Sequence, residues 1–142
     1  MQYAKVEILI PVVQEEVTGK AISNASDIHN ECKDIQSLAQ ETFGVITCDQ
    51  KNKIINRHIV SVGSLTESLV HPREVFRRAI LDNAASVAFV HNHPSGDATP
   101  SRADRQITTR LVECAALLGI RVLDHVIIGK DKYHSFAENG SL

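Results

Sequence analysis

A hydrophobic run ending at Val90 breaks into two histidines separated by one residue, His91 and His93. It then enters a turn-rich loop that closes on Ser101 and Asp104 (VAFVHNHPSGDATPSRAD, residues 87–104). Residues at i and i+2 of an extended chain share a face, so a strand continuing through Asn92 projects both imidazoles to one side. Asp104 falls at the third position past a helix cap at Ser101, where the chain can return to the same point. Two imidazoles and a carboxylate make a three-ligand zinc set with a fourth position open to water. That is the catalytic form; structural zinc takes four closed ligands. The plainer alternative is two polar residues at a strand end and a capping box, S-x-x-D, between Ser101 and Asp104. Pro94, Ser95, Gly96, Pro100 and the Ser101 and Asp104 offsets together favour one coherent site. A hydrolytic site also needs a general base beside the metal, and the residue types alone leave Glu31, Glu41, Glu67 and Glu74 open.

The elements that must position these groups follow from the surrounding pattern. KVEILIPVV reads as a strand with Pro11 at an edge or end, and residues 23–35 read as a helix of poor propensity. Residues 41–48 and 53–62 are rich in β-formers around a polar turn at 49–52, which predicts a hairpin. Pro72 can open a helix without wasting a backbone donor, and Val75, Phe76, Ala79 and Ile80 give it an apolar stripe. SVAFV, residues 86–90, is a short buried strand. Ser101 caps a helix with Ile107, Leu111, Ala115 and Leu118 on one face and Gly119 as its stop. RVLDHVIIG is a further strand, and YHSF a final one after a turn at 129–132. A hairpin combined with helical crossovers predicts a single α/β domain with a mixed β-sheet flanked by helices.

The bulk numbers bound the function classes. The 142 residues, 43% apolar and 23% charged, suit one soluble domain. No apolar run is long enough to span a membrane, and MQYAKVEILI lacks signal-peptide features, so a cytoplasmic protein with no membrane partner is expected. Cys32, Cys48 and Cys114 are odd in number and have no C-x-x-C spacing, which predicts reduced thiols. A net charge of −2 argues against a strongly basic nucleic-acid surface. Residues 73–121 nonetheless hold seven arginines against five acids, whereas the first 70 hold six basic and nine acidic groups. Arg73, Arg77 and Arg78 read as a solvated helix face, with a docking patch as the alternative.

The spacing H-x-H, seven residues, Ser, two residues, Asp resembles the signature of the JAB/MPN (JAMM) metalloproteases. HNHPSGDATPSRAD followed by LLGIRVLDHVIIG resembles the RadC branch in particular. The resemblance covers about Ala39 to Phe136. It implies a fold similar to cytidine deaminases, with residues 39–142 as the catalytic core and residues 1–38 as an N-terminal strand and helix of the same domain. It also selects Glu41, in ETFGVI, as the general base. It implies zinc held by His91, His93 and Asp104, with Ser101 as oxyanion donor and a protein or peptide as substrate. Asp124 and His125 lie on a strand that the family brings near the site. His125 reads as a buried, hydrogen-bonded histidine, with a place behind the ligands as the alternative. His29, His58, His71 and His134 read as surface or turn residues. RadC proteins often carry an additional helical segment ahead of this domain, for which 142 residues leave no room, so DNA binding by this chain alone is expected to be weak. The rival reading is a DNA-associated accessory module of the RadC type whose metal site has another use or none. The oligomeric state is left open.

Overall fold

The computed structural model describes residues 19–65 and 70–142. The expected strand over KVEILIPVV, and Glu67 among the four candidate bases, lie outside the described residues. Five strands form one mixed sheet in the order β2-β1-β3-β4-β5: β1 (Thr42–Cys48), β2 (Ile54–Val62), β3 (Ser86–Asn92), β4 (Arg121–Ile128) and β5 (Tyr133–Ser135). β1 pairs antiparallel with both β2 and β3, and β4 antiparallel with β5, while β3 and β4 run parallel. The parallel pair requires a crossover, and α3 (Arg102–Leu118) supplies it. The helices α1 (Ala25–Glu31) and α2 (Pro72–Leu81) complete the flanking layers.

Two cores sandwich the sheet. Ile22, Ala25, Ile28, Cys32 and Ile35 pack on one face against Ile46, Ala88, Val90, Val126 and Ile128. Val75, Phe76, Ala79, Ile107, Leu111 and Ala115 cover the other, against Phe43, Val45, Val87 and Phe89. β3 lies at the centre and is buried at all seven positions, so its continuous apolar run suits a strand covered on both faces.

The hairpin, the Pro72 start, the Ser101 cap and the Gly119 stop match the expectations, with Gly119 at φ 71. Four expectations are corrected. The helix read over residues 23–35 breaks at Cys32 (φ −113, ψ 19) into α1 and a 3-10 turn, Lys33–Ile35, because this stretch of weak helix formers cannot hold the α conformation past that residue. β3 runs past Val90 to Asn92, because pairing with β1 and β4 on its two sides outweighs the low strand propensity of the last two residues. Ile80 and Leu118 do not join the buried stripes; they are 60% and 49% exposed and line an open groove between α2 and α3. His29, His58 and His134 lie within α1, β2 and β5 and are half-buried rather than surface or turn groups, while His71, also half-buried, stands at the loop end that caps α2. His58, on β2, lies 2.7 Å from Asp82 Oδ2, and His29, on α1, packs 5.0 Å from the Tyr133 ring. Arg73 and Arg77 are exposed, as expected of a solvated face.

All three cysteines are free. Burial pushes the Cys32 and Cys48 thiols up to about 12 and about 11, which keeps them protonated and unreactive. No described helix is long and apolar enough to cross a membrane.

Candidate metal centre

The C-terminal end of β3 carries His91 and, one residue beyond the strand, His93, whose N–H donates to Ile128 O at 2.9 Å and prolongs the pairing with β4. The extended backbone therefore does continue through Asn92, and the two rings come to 4.6 Å between centroids. Antiparallel pairing sets Phe43 of β1 opposite His91, which brings the start of β1, and Glu41 just before it, to the same end of the sheet. Glu41, His91 and His93 each offer a ligand atom, all within 4.8 Å of one another. The first turn of α3 closes the site from behind. Asp104 Oδ1 lies 3.4 Å from His91 Nδ1, and Oδ2 lies 3.1 Å from His93 Nε2.

The capping box and the cluster are both present, through the same side chains. Ser101 N–H donates to Asp104 Oδ2 at 2.7 Å, and Asp104 N–H donates to Ser101 Oγ at 3.0 Å. The positive end of the helix macrodipole also favours a carboxylate at this position. Ser101 is exposed, and its hydroxyl hydrogen is not consumed by the cap, in which Oγ only accepts. All five residues singled out from the sequence, Glu41, His91, His93, Ser101 and Asp104, thus converge at one end of the sheet. Of the other candidate bases, Glu31 ends α1 and Glu74 lies in the first turn of α2.

The unpartnered atoms indicate what the site is built to hold. Both nitrogens of His91 and Asp104 Oδ1 are buried and form no hydrogen bond with the described residues, Nδ1 and Oδ1 merely facing each other at 3.4 Å, an arrangement that costs about 1–3 kcal/mol per group unless something satisfies it. His93 Nδ1 lies 2.7 Å from Asp97 O. A carbonyl only accepts, so Nδ1 carries the hydrogen and Nε2 is left facing Asp104 Oδ2. A lone pair aimed at a carboxylate requires a proton or a metal cation between them, and a carbonyl behind a ligating imidazole is the usual support for such a ring. Burial pushes the His91 ring down to about 4, leaving it neutral, the form that ligates. Burial also works to raise Asp104, but the hydrogen bonds from His93 and from Ser101 N–H oppose it, and the carboxyl is held down at about 2. The hydrogen bond to Asp104 raises His93 against the opposing effect of burial. Two neutral-capable imidazoles and an ionised carboxylate fit a divalent cation of the zinc type.

Four supports lie outside what the motif spacing announces. Leu65 N–H donates to Glu41 Oε2 at 2.7 Å, a backbone contact that no side-chain pattern announces. Asp97 orients His93 through its carbonyl, which any residue would have supplied. Thr108, one turn along α3 from Asp104, places Oγ1 2.6 Å from both Asp104 O and His125 Nδ1; a threonine on the inner face four residues after Asp104 is the available clue. The loop itself is clasped from outside. Lys130 N–H donates to Gly96 O at 2.9 Å, and Gly129 lies so close that a Cβ there would meet Gly96 O at 2.5 Å and Ala98 N at 3.0 Å. His125 is fully buried and hydrogen-bonded, as expected, and stacks against His91 and Phe136 at 6.0 and 4.8 Å between centroids.

An α/β domain with a cluster able to hold a metal at the C-terminal end of its central strand is the class that this fold and site define. The chain belongs to the RadC-like JAB domain family, whose model matches residues 22–141. It is 48% identical over 128 residues, 89% of this chain and 56% of the other, to a UPF0758 protein of Clostridium perfringens (strain 13 / Type A). A UPF0758 protein of Geobacillus thermodenitrificans (strain NG80-2) is 54% identical over 108 residues, 76% of this chain and 48% of its own length. One of Pelobacter propionicus is 54% identical over 109 residues, 77% and 48% of the two chains. The chain spans about half the length of the curated relatives it matches.

Proposed function

We propose that this domain is a zinc-dependent hydrolase of amide or isopeptide bonds in a protein or peptide. The observation that carries this reading is the set of buried, unpartnered nitrogen and oxygen atoms on His91 and Asp104, beside an open groove of about 700 Å³ that Glu41, His93, Ser101 and Asp104 line. His91, His93 and Asp104 would hold the metal, which supplies a Lewis acid able to polarise a carbonyl and to acidify water toward a pKa of about 7.

The remaining chemistry belongs to the chain. Leu65 N–H holds Glu41 Oε2, and Oε1, which accepts no hydrogen bond from the described residues, is the oxygen to take a proton from the attacking water and pass it to the departing amine nitrogen. Ser101 lines the same groove, and its hydroxyl hydrogen can be donated to the carbonyl oxygen as negative charge develops there. Asp97 O keeps His93 in the tautomer that presents Nε2. With a net charge of −2, DNA is the weaker partner for this chain alone, because non-specific affinity comes chiefly from cations that neutralise phosphates.

Elemental analysis together with Glu41→Gln tests the reading. The parent should take up one zinc per chain. The variant should fold and bind zinc equally while losing about 10²-fold or more in hydrolysis of a peptide amide. A parent that takes up no zinc, or a fully active Glu41→Gln protein, overturns it.

A further inference from the structure

The residue between the two histidines is no spacer. Asn92 is fully buried, and its side chain lies on the stretch that carries Glu41. Asn92 Oδ1 accepts from Thr42 N–H at 2.6 Å and from the Thr42 hydroxyl at 2.9 Å, while Asn92 Nδ2 donates to Gln40 O at 3.0 Å. Gln40 and Thr42 are the two neighbours of Glu41. The side chain therefore grips the backbone on both sides of the glutamate, and from the β2 side Gly63 N–H donates to Glu41 O at 2.8 Å.

We infer that Asn92 is a positioning residue for Glu41, so that the H-x-H motif sets the base as well as two ligands. The inference rests on the reading of Glu41 as general base. Strand alternation supplies the logic. With His91 and His93 directed at the cluster, the residue between them must turn the other way, toward the end of β1. There the chain presents two donors and one acceptor at once. A carboxamide offers the matching acceptor and donor on two separate atoms of one short side chain, whereas a hydroxyl carries both on a single oxygen, an ionised carboxylate lacks the donor and an aliphatic group lacks both. The same three residues thereby fix the distance between the ligands and the base, since displacement of β3 relative to residues 40–42 would break the Asn92 contacts.

The amide of Leu65 reports the position of Glu41 without any activity measurement, because its N–H is bonded to Glu41 Oε2. Amide NMR on the metal-free protein, with Glu41→Ala marking the unbonded Leu65 resonance, reads that contact in Asn92→Ala. The Leu65 resonance is expected to move most of the way to the Glu41→Ala position, while zinc affinity, measured by chelator competition, stays within about tenfold of the parent, milder than loss of a ligand would be. Two variants cover the case in which Asn92→Ala fails to fold. Thr42→Val removes only the hydroxyl contact and should move the resonance part of the way. Asn92→Asp keeps the acceptor for Thr42, loses the donor to Gln40, and should fall between the two. A Leu65 resonance at the parent position in the folded Asn92 variants overturns the inference. Full activity in Glu41→Gln with the Leu65 shift present would instead remove the base role while leaving the clamp standing, so the two failures are distinguishable.

Discussion

His91 and Asn92 are adjacent, equally buried and both polar, yet the protein completes them in opposite ways. Both nitrogens of His91 are left without a hydrogen-bond partner, whereas the carboxamide oxygen and nitrogen of Asn92 are both engaged. Folding normally satisfies buried polar atoms, because each one left alone forfeits its hydration. One side chain is therefore finished by the fold and the other is held open for something the fold does not contain. The contrast separates scaffold from site within two residues, where burial alone makes no distinction.

Three substitutions press on that contrast. The largest effect is expected from His91→Phe, which keeps a ring of similar size and removes the two unpartnered nitrogens. Zinc affinity should fall by more than about 100-fold, beyond the range typical of outer partners. The metal-free protein should lose less than about 1.5 kcal/mol, as for a volume-conserving exchange. Equilibrium denaturation with and without metal reads both numbers, and a large metal-free loss would show that His91 has a structural role of its own. Asn92→Ala should give the reverse pattern, losing about 1–3 kcal/mol in the metal-free protein because Thr42 N–H and Gln40 O are left unsatisfied. Unchanged stability would place Asn92 on the open side of the contrast. Thr108→Val should be the mildest, near 1 kcal/mol, since it removes one hydroxyl from between Asp104 O and His125 Nδ1 while keeping shape. Its zinc affinity should drop only slightly, and a drop as deep as that of His91→Phe would extend the open region to the α3–β4 contact.

These cases also show what the sequence can carry. The hairpin was readable because residues 41–48 and 53–62 are β-rich around Asp49 to Asn52, and α3 because Ser101, Asp104 and Gly119 mark its ends by local chemistry. The convergence of His91, His93 and Asp104 is readable from spacing, and that of Glu41 only from likeness to a family. Asn92 carries no local signal because its partners lie about 50 positions earlier, at Gln40 and Thr42. Nothing local in HNH distinguishes a clamp from a spacer. The sheet order was equally out of reach, since the placement of β1 between β2 and β3 depends on long-range pairing. The apolar stripes were overextended at Ile80 and Leu118 because helical periodicity says which way a residue points along an ideal helix and not where the neighbouring surface ends.

The contact between Gly129 and the Gly96–Ala98 backbone has an evolutionary consequence. The turn after β4 contributes no side chain to the cluster, yet a single methyl group at residue 129 would collide with the loop whose Asp97 carbonyl orients His93. Selection acting on the chemistry therefore reaches a position remote from it in sequence. Mutational tolerance along that turn should be uneven, generous at exposed Lys130, limited at Asp131 to residues that accept its φ of 53, and as narrow at buried Gly129 as at the histidines themselves.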